Sequence, residues 1–139
     1  MDAETLRVLC EALAPHPVVV VGVCKAQAEI PRLKHVHDWS NKTSLSELLW
    51  VLRRARFCIS VDSGPMHMAA AVNERTLGIH TWTDPRKVGP YDQRAWVWKA
   101  GRIAHRTEFT PQECVTEMTV TQGHARELAS FVLAHSENR

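Results

Sequence analysis

Five residues with the chemistry to bind a phosphate group follow one short apolar run. The run, residues 57–61, is rich enough in apolar and β-branched residues to favour a buried parallel strand. Residues 62–65 are typical of a turn and a helix start, and residues 66–72 favour a helix. Free backbone N–H groups and the helix dipole stabilise an anion beside the start of a helix. The predicted phosphate-binding residues are Asp62, Ser63, Gly64, Met66 and His67.

Each of these residue types has a separate role in such a site. Because Pro65 has no N–H, the candidate backbone donors are the amides of Ser63, Gly64, Met66 and His67. Gly64 permits a close approach of the backbone to a ligand, and the His67 ring could add a hydrogen bond or a positive charge. Asp62 could accept from a hydroxyl or order the turn. An ordinary strand–helix connection, with Asp62 or Ser63 only as a cap, explains the same residues.

A second set of candidates follows the next predicted strand, residues 76–81. Two prolines and a glycine in residues 82–91 predict a loop without regular structure. Carboxyl ends of parallel strands meet at one edge of a sheet, so this loop is expected near Asp62. The secondary donor-site candidates are Thr83, Asp84 and Arg86, together with Lys25, which follows the predicted strand 18–23. A solvated turn and a solvated lysine are the simpler alternatives.

The elements that must position these residues alternate along the chain. The predicted order is α–β–β–α–β–α–β–β–α, which indicates an α/β fold with a Rossmann-like, mostly parallel sheet and helices on both faces. A capping box, Ser44 to Glu47, predicts the start of one helix, whose buried stripe would be Leu45, Leu48, Leu49 and Leu52. The length of 139 residues fits a single domain over residues 1–139.

Composition excludes several classes of function. A formal net charge of +2 is too small to argue for nucleic acid binding, and no apolar run is long enough to span a membrane. The acidic start of the chain resembles no signal peptide. Four separated cysteines without a CxxC pair predict reduced thiols in a cytoplasmic protein. His35 and His37 have no evident third ligand, so no metal site is predicted.

Several segments together resemble a known family. The chain is similar, over about residues 18–102, to the C-terminal half of family 9 glycosyltransferases, the ADP-heptose:lipopolysaccharide heptosyltransferases and their relatives. The most specific segment is residues 62–71. The matching pieces, in order, are Lys42-Thr43-Ser44-Leu45, Asp62-Ser63-Gly64-Pro65-Met66-His67-Met68-Ala69-Ala70-Ala71, Thr83-Asp84-Pro85-Arg86 and Gly89-Pro90-Tyr91.

The resemblance implies a GT-B fold, in which two Rossmann-like halves face each other across a cleft. The C-terminal half would hold a nucleotide-sugar donor, ADP-linked by analogy. Ser63 and Gly64 would bind its diphosphate, and Asp62 and His67 would lie at the phosphate–sugar end. The family needs neither a metal nor another cofactor. The implied reaction is an inverting displacement, in which a hydroxyl of a glycan or glycolipid acceptor attacks the anomeric carbon.

Departures from the family pattern suggest further expectations. The first strand with its phosphate-binding lysine and the whole N-terminal half, which carries the acceptor site and the catalytic base, lie outside this sequence. Family members often place an acid that holds the ribose after the strand equivalent to 18–23; residues 23–27 contain none here, and Glu29 is the alternative. This chain alone is therefore expected to be inactive and to need the N-terminal half or a partner chain. Its expected location is the cytoplasm, including the inner face of the membrane.

A different class of function is also open. The chain could be a non-catalytic Rossmann-like module used for protein–protein contact or weak nucleotide binding. Self-association through a sheet edge, giving a homo-oligomer, belongs to that alternative. A third hypothesis is another GT-B-like enzyme, such as a sugar-nucleotide epimerase, but the Pro65-Met66-His67 and Thr83-Asp84-Pro85 segments favour the glycosyltransferase.

Overall fold

A computed structural model describes residues 1–22 and 29–136 of the chain. Its helices are α1 (Ala3–Leu13), α2 (Leu45–Arg54), α3 (Gly64–Val72), α4 (Pro85–Val88), α5 (Pro111–Val115) and α6 (Gln122–Ser136), and a 3-10 turn lies at Arg106–Glu108. Its strands are β1 (Val18–Val20), β2 (Val36–Asp38), β3 (Cys58–Val61), β4 (Thr76–His80), β5 (Trp96–Lys99) and β6 (Arg102–Ala104). Mostly parallel strands flanked by helices confirm the predicted α/β class.

The described residues form two compact units, and the first combines residues 1–48 with the C-terminal segment from Val120. It contains the parallel pair β1–β2 and the helices α1 and α6, which pack together. Asp2 caps α1 by accepting from the Thr5 amide at 2.7 Å. The His35 ring lies beside α1, with Nε2 at 2.6 Å from the Cys10 carbonyl oxygen, so this histidine has a structural contact.

The second unit, residues 49–119, contains a four-stranded sheet in the order β3-β4-β5-β6. The first three strands are parallel and β6 is antiparallel. Helix α3 lies against β4, where Met66 is fully buried. A Cβ on Gly78 would overlap the Met66 sulfur, so this glycine permits the close approach of helix to sheet.

Local structure differs from the sequence-based expectation at three places. The loop predicted over residues 82–91 contains α4, because Asp84 accepts from the Arg86 amide at 2.9 Å and Pro85 occupies the first helical turn. The hairpin joining β5 to β6 was not predicted; its turn residues Ala100 and Gly101 have φ values of 53° and 80°. Leu45, expected in a buried stripe, is 67% exposed at the start of α2, whereas Leu48 and Leu52 of the same stripe are buried.

Other local predictions are confirmed. The capping box at α2 forms, with the Ser44 amide donating to Glu47 at 2.9 Å and the Glu47 amide donating to the Ser44 hydroxyl at 3.2 Å. Cys10, Cys58 and Cys114 are buried, and no disulfide bond joins any two of them within the described residues.

Candidate functional site

Three polar side chains lie at the carboxyl ends of three adjacent parallel strands. Asp62 follows β3, His80 is the last residue of β4, and Lys99 is the last residue of β5. His80 and Lys99 are register partners, and the Asp62 amide donates to the Ile79 carbonyl at 3.1 Å. This edge is where open parallel sheets bind ligands.

The turn between β3 and α3 presents backbone donors at this edge. Within the described residues, the N–H groups of Ser63 and Gly64 have no acceptor, as expected for the start of a helix. The Met66 amide, a predicted phosphate donor, already donates to the Ser63 carbonyl at 3.2 Å. The Ser63 hydroxyl donates to the Val61 carbonyl at 3.1 Å, which leaves its oxygen as an acceptor.

Neither the backbone conformation nor the packing at Gly64 requires a glycine. Its φ lies outside the left-handed region, and an added Cβ would meet no atom within 4 Å. A side chain here would therefore be tolerated by the fold and would extend into open space at the first turn of α3. An anion bound by the helix start would lie beside this same turn.

Asp62 and His67 flank the same turn. The Asp62 side chain is 20% exposed, and its Oδ2 lies 4.0 Å from His80 Nδ1. His67 is exposed one turn into α3, and it is close enough for a positive charge on it to lower the pKa of His80. Asp62, directly before the free amides, and His67, one turn into α3, are thus both close enough to His80 to affect its pKa.

The loop after β4 is tied to this edge through His80. The His80 Nδ1 and the Thr83 hydroxyl oxygen are 2.8 Å apart. The Asp84 carboxylate accepts from Arg86 Nη2 at 2.8 Å and Nε at 3.1 Å. Side-chain hydrogen bonding from Arg86 is the main reason that the pKa of Asp84 falls to about 2. Thr83 therefore approaches Asp62, whereas Arg86 is held by its own loop.

Lys25, the remaining predicted candidate, lies outside the described residues.

His80 and Lys99 are the site residues that sequence reasoning missed. Both are fully buried, and His80 Nε2 and Lys99 Nζ have no hydrogen-bond partner in the described ranges. Burial lowers the pKa of His80 to about 4, against the opposing charge of Asp62. Burial also lowers the pKa of Lys99, against the opposing charges of Asp84 and Glu117. A polar residue at the last position of an apolar strand is the signal that could have found them.

Residues 1–22 and 29–136 contain no cluster of three or more histidine, cysteine or acidic side chains that could hold a metal ion. In the same residues, no helix has the length and apolar character needed to cross a membrane.

The described residues thus combine a mostly parallel α/β sheet with a polar carboxyl edge, the place where proteins with open parallel sheets bind ligands. The model of glycosyltransferase family 9 (heptosyltransferase) matches residues 6–118. The chain belongs to this family, which confirms the resemblance seen in its sequence. No solved structure matches the chain significantly.

Curated relatives are similar over part of the chain. Lipopolysaccharide heptosyltransferase 1 of Escherichia coli strain K12 is 36% identical over 61 residues, which cover 44% of this chain and 19% of that protein. The protein of the same name from Salmonella typhimurium strain LT2 is 33% identical over 73 residues, 50% of this chain and 23% of that protein. The chain thus matches about a fifth of the length of these relatives.

Proposed function

We propose that this chain forms the donor-binding surface of a glycosyltransferase whose donor is a nucleoside-diphosphate sugar, ADP-linked and heptose-like by family. The observation that carries the proposal is the start of α3. The free amides of Ser63 and Gly64 lie at the carboxyl edge. The fold would tolerate a side chain at position 64, so packing does not explain the glycine there. An anionic ligand accounts for both features.

The geometry supports a division of roles along the donor. The diphosphate oxygens accept from the Ser63 and Gly64 amides, in the favourable field of the α3 dipole, and His67 lies near enough to add charge. Asp62 accepts from a sugar hydroxyl at the phosphate–sugar end. As the diphosphate leaves, these donors stabilise its growing negative charge, so that neither a metal nor another cofactor is required.

The complete reaction needs partners for this surface. An acceptor hydroxyl, from a lipopolysaccharide-type glycolipid by analogy with the relatives, attacks the anomeric carbon with inversion. The base that removes its proton and the acceptor site belong to a part of the enzyme outside residues 1–139. We propose that the chain works in the cytoplasm, at or near the membrane where such an acceptor is held.

Calorimetric titration of the chain with ADP, UDP and GDP tests the proposal. We expect selective binding of ADP, and we expect Gly64→Val to weaken it by tenfold or more with an unchanged melting temperature. Gly123→Val is the matched control, because Gly123 lies in the first turn of α6 and its added Cβ would meet only the Thr121 hydroxyl, at 3.7 Å.

Equal ADP affinity of wild type and Gly64→Val would refute the role of this turn. Absence of binding by all three nucleotides would favour the non-catalytic module instead.

A further inference from the structure

The buried His80 ring joins the two segments of the proposed donor site, and the inference that follows rests on that proposed function. Its Nδ1 lies 2.8 Å from the Thr83 hydroxyl oxygen and 4.0 Å from Asp62 Oδ2. Its Nε2 has no partner in the described part of the chain. Nε2 lies on the Gly78 side of the ring, 3.3 Å from where a Gly78 Cβ would stand, and the buried Met66 side chain packs at the same glycine.

These contacts decide which ring nitrogen carries the hydrogen. With a pKa of about 4, His80 is neutral at pH 7 and has one N–H and one lone pair. A hydrogen on Nε2 would be a buried donor without an acceptor, which costs more than an unused lone pair. The Asp62 carboxylate, which can only accept, also favours a hydrogen on the nitrogen that faces it. The Nδ1–H form is therefore the stable tautomer.

This tautomer fixes the direction of the hydrogen bond to Thr83. If Nδ1–H donates, the Thr83 oxygen is the acceptor, and the hydroxyl hydrogen of Thr83 remains available. Within the described residues, Thr83 makes no second side-chain hydrogen bond that would use this hydrogen. Thr83 lies at the same sheet edge as the free amides of Ser63 and Gly64.

We propose that His80 is a positioning residue, which donates from Nδ1 to Thr83 and thereby directs the Thr83 hydroxyl hydrogen toward an oxygen of the donor's diphosphate. His80 itself does not touch the donor. Thr83 thus becomes a third hydrogen-bond donor to the diphosphate, contributed by the loop after β4.

Long-range proton–nitrogen correlation spectroscopy at pH 7 tests the tautomer without any ligand. His80→Asn assigns the His80 signals among the eight histidines of the chain. We expect the hydrogen on Nδ1 and an unprotonated Nε2. A hydrogen on Nε2 would overturn the proposal whatever the chain binds.

Titration with ADP and with inorganic pyrophosphate tests the consequence. Thr83→Val, which keeps the shape and removes the hydroxyl, should weaken both ligands by about tenfold or more, as expected for a hydrogen bond to a charged group. Thr83→Ser keeps the hydroxyl and should stay within about threefold of wild type. Thermal unfolding of each variant confirms that it is folded.

Paired His80 variants separate positioning from packing. Asn places an amide N–H near the position of Nδ1, whereas Gln places it near Nε2. His80→Asn should therefore retain affinity, and His80→Gln should match Thr83→Val. Because His80 acts through Thr83, the double variant His80→Gln/Thr83→Val should bind no more weakly than Thr83→Val alone.

Additive losses in the double variant, or equal losses in His80→Asn and His80→Gln, would overturn the proposal. If Gly64→Val abolishes binding but Thr83→Val does not, this inference fails and the proposed function stands. If the wild-type chain binds neither ligand, the diphosphate contact and the proposed function fail together, and the tautomer measurement still decides the state of His80.

Discussion

Replacing Lys99 by methionine should make the protein more stable. The Lys99 side chain is fully buried at the end of β5, and its Nζ has no hydrogen-bond partner within the described ranges. A buried ammonium loses its hydration, and nearby charges that do not hydrogen-bond to it recover only part of that cost. Methionine has nearly the same length and needs no hydration, so Lys99→Met removes the cost and keeps the packing.

The expected gain in stability depends on how far nearby charges offset the burial of Lys99 Nζ. Replacing buried charged groups by apolar side chains of similar volume stabilises proteins by about 1–4 kcal/mol. Asp84 and Glu117 partly offset the burial of Lys99, yet the pKa of Lys99 is still lowered, so the net balance is unfavourable. We therefore expect the lower half of that range, about 1–2 kcal/mol, or roughly 4–8 °C in melting temperature.

The pH dependence gives a second, independent sign. The pKa of Lys99 in the folded protein lies below its ordinary value of 10.5, so between these two values the unfolded chain binds more protons. Wild-type stability should rise with pH in this window, and the advantage of Lys99→Met should shrink as pH approaches 10.5.

Urea unfolding followed by circular dichroism, at several pH values, measures both effects. The control is Lys87→Met, which removes the same charge from an exposed position on α4 and should change stability little. Destabilisation of Lys99→Met by about 1 kcal/mol or more would refute the reasoning, because it would show that the ammonium has a strong partner. A stability gain that does not vary with pH would refute it as well.

Two further predictions concern the sheet and the C-terminal side of the second unit. Gly78→Ala should destabilise the protein by about 1–3 kcal/mol in urea unfolding, because the added Cβ would overlap the Met66 sulfur. The control is Gly123→Ala, whose added Cβ has open surroundings. Equal stability of the two variants would contradict the packing argument. Hydrogen bonding from Arg102 lowers the pKa of Glu113 from 4.5 to about 2, so the wild type loses this stabilisation as pH falls through that interval. In Glu113→Gln, the free energy of unfolding should therefore depend less on pH between these values. Acid unfolding of the wild type and of Glu113→Gln, both monitored by circular dichroism, measures this difference. Curves of the same shape would disprove the expectation for Glu113.

The central strand, turn and helix could be predicted because their signals are local. The apolar run 57–61, the turn residues after it and Pro65 each specify conformation within a few residues, and the structure places β3 and α3 accordingly. The α4 helix could not be predicted in the same way. Pro85 and Gly89 are read as breakers, and only the Asp84 cap shows that Pro85 begins a helix.

Local sequence patterns could not predict which residues come together at the carboxyl edge, because this depends on how the strands pair. His80 meets Lys99 only because β4 and β5 pair in one particular register across fifteen intervening residues, 81–95. The sequence predicts that His80 lies in the strand 76–81, but it does not give the partner strand or the register. The contact of His80 with Thr83 could have been anticipated from their separation of three residues, had the burial of the ring been known.

The buried polar groups at the two ends of strand β4 differ in whether they have hydrogen-bond partners. At the amino end, buried polar groups have partners: the Thr76 hydroxyl donates to the Asn73 carbonyl at 2.7 Å. The Asn73 side chain in turn donates to the Leu52 and Ala55 carbonyls, at 2.9 and 2.8 Å. Arg75 Nη1 is an exception there, but Arg75 as a whole is only half-buried.

At the carboxyl end, fully buried His80 and its neighbour Lys99 keep polar atoms without partners in the described residues. A fold selected for stability alone would fill such positions with apolar side chains, as it does in the interior of the same strands at Leu77 and Val97. The free-energy cost of burying the unpartnered atoms of His80 and Lys99 thus falls at one edge of the sheet, and that edge also holds the free amides at the start of α3. We explain the polar residues beneath this edge by the proposed donor site, which His80 serves through Thr83 without touching the ligand. Lys99→Met distinguishes this explanation from a structural need for the lysine: a lysine kept for the site predicts a variant that gains stability, whereas a structural lysine predicts one that loses it.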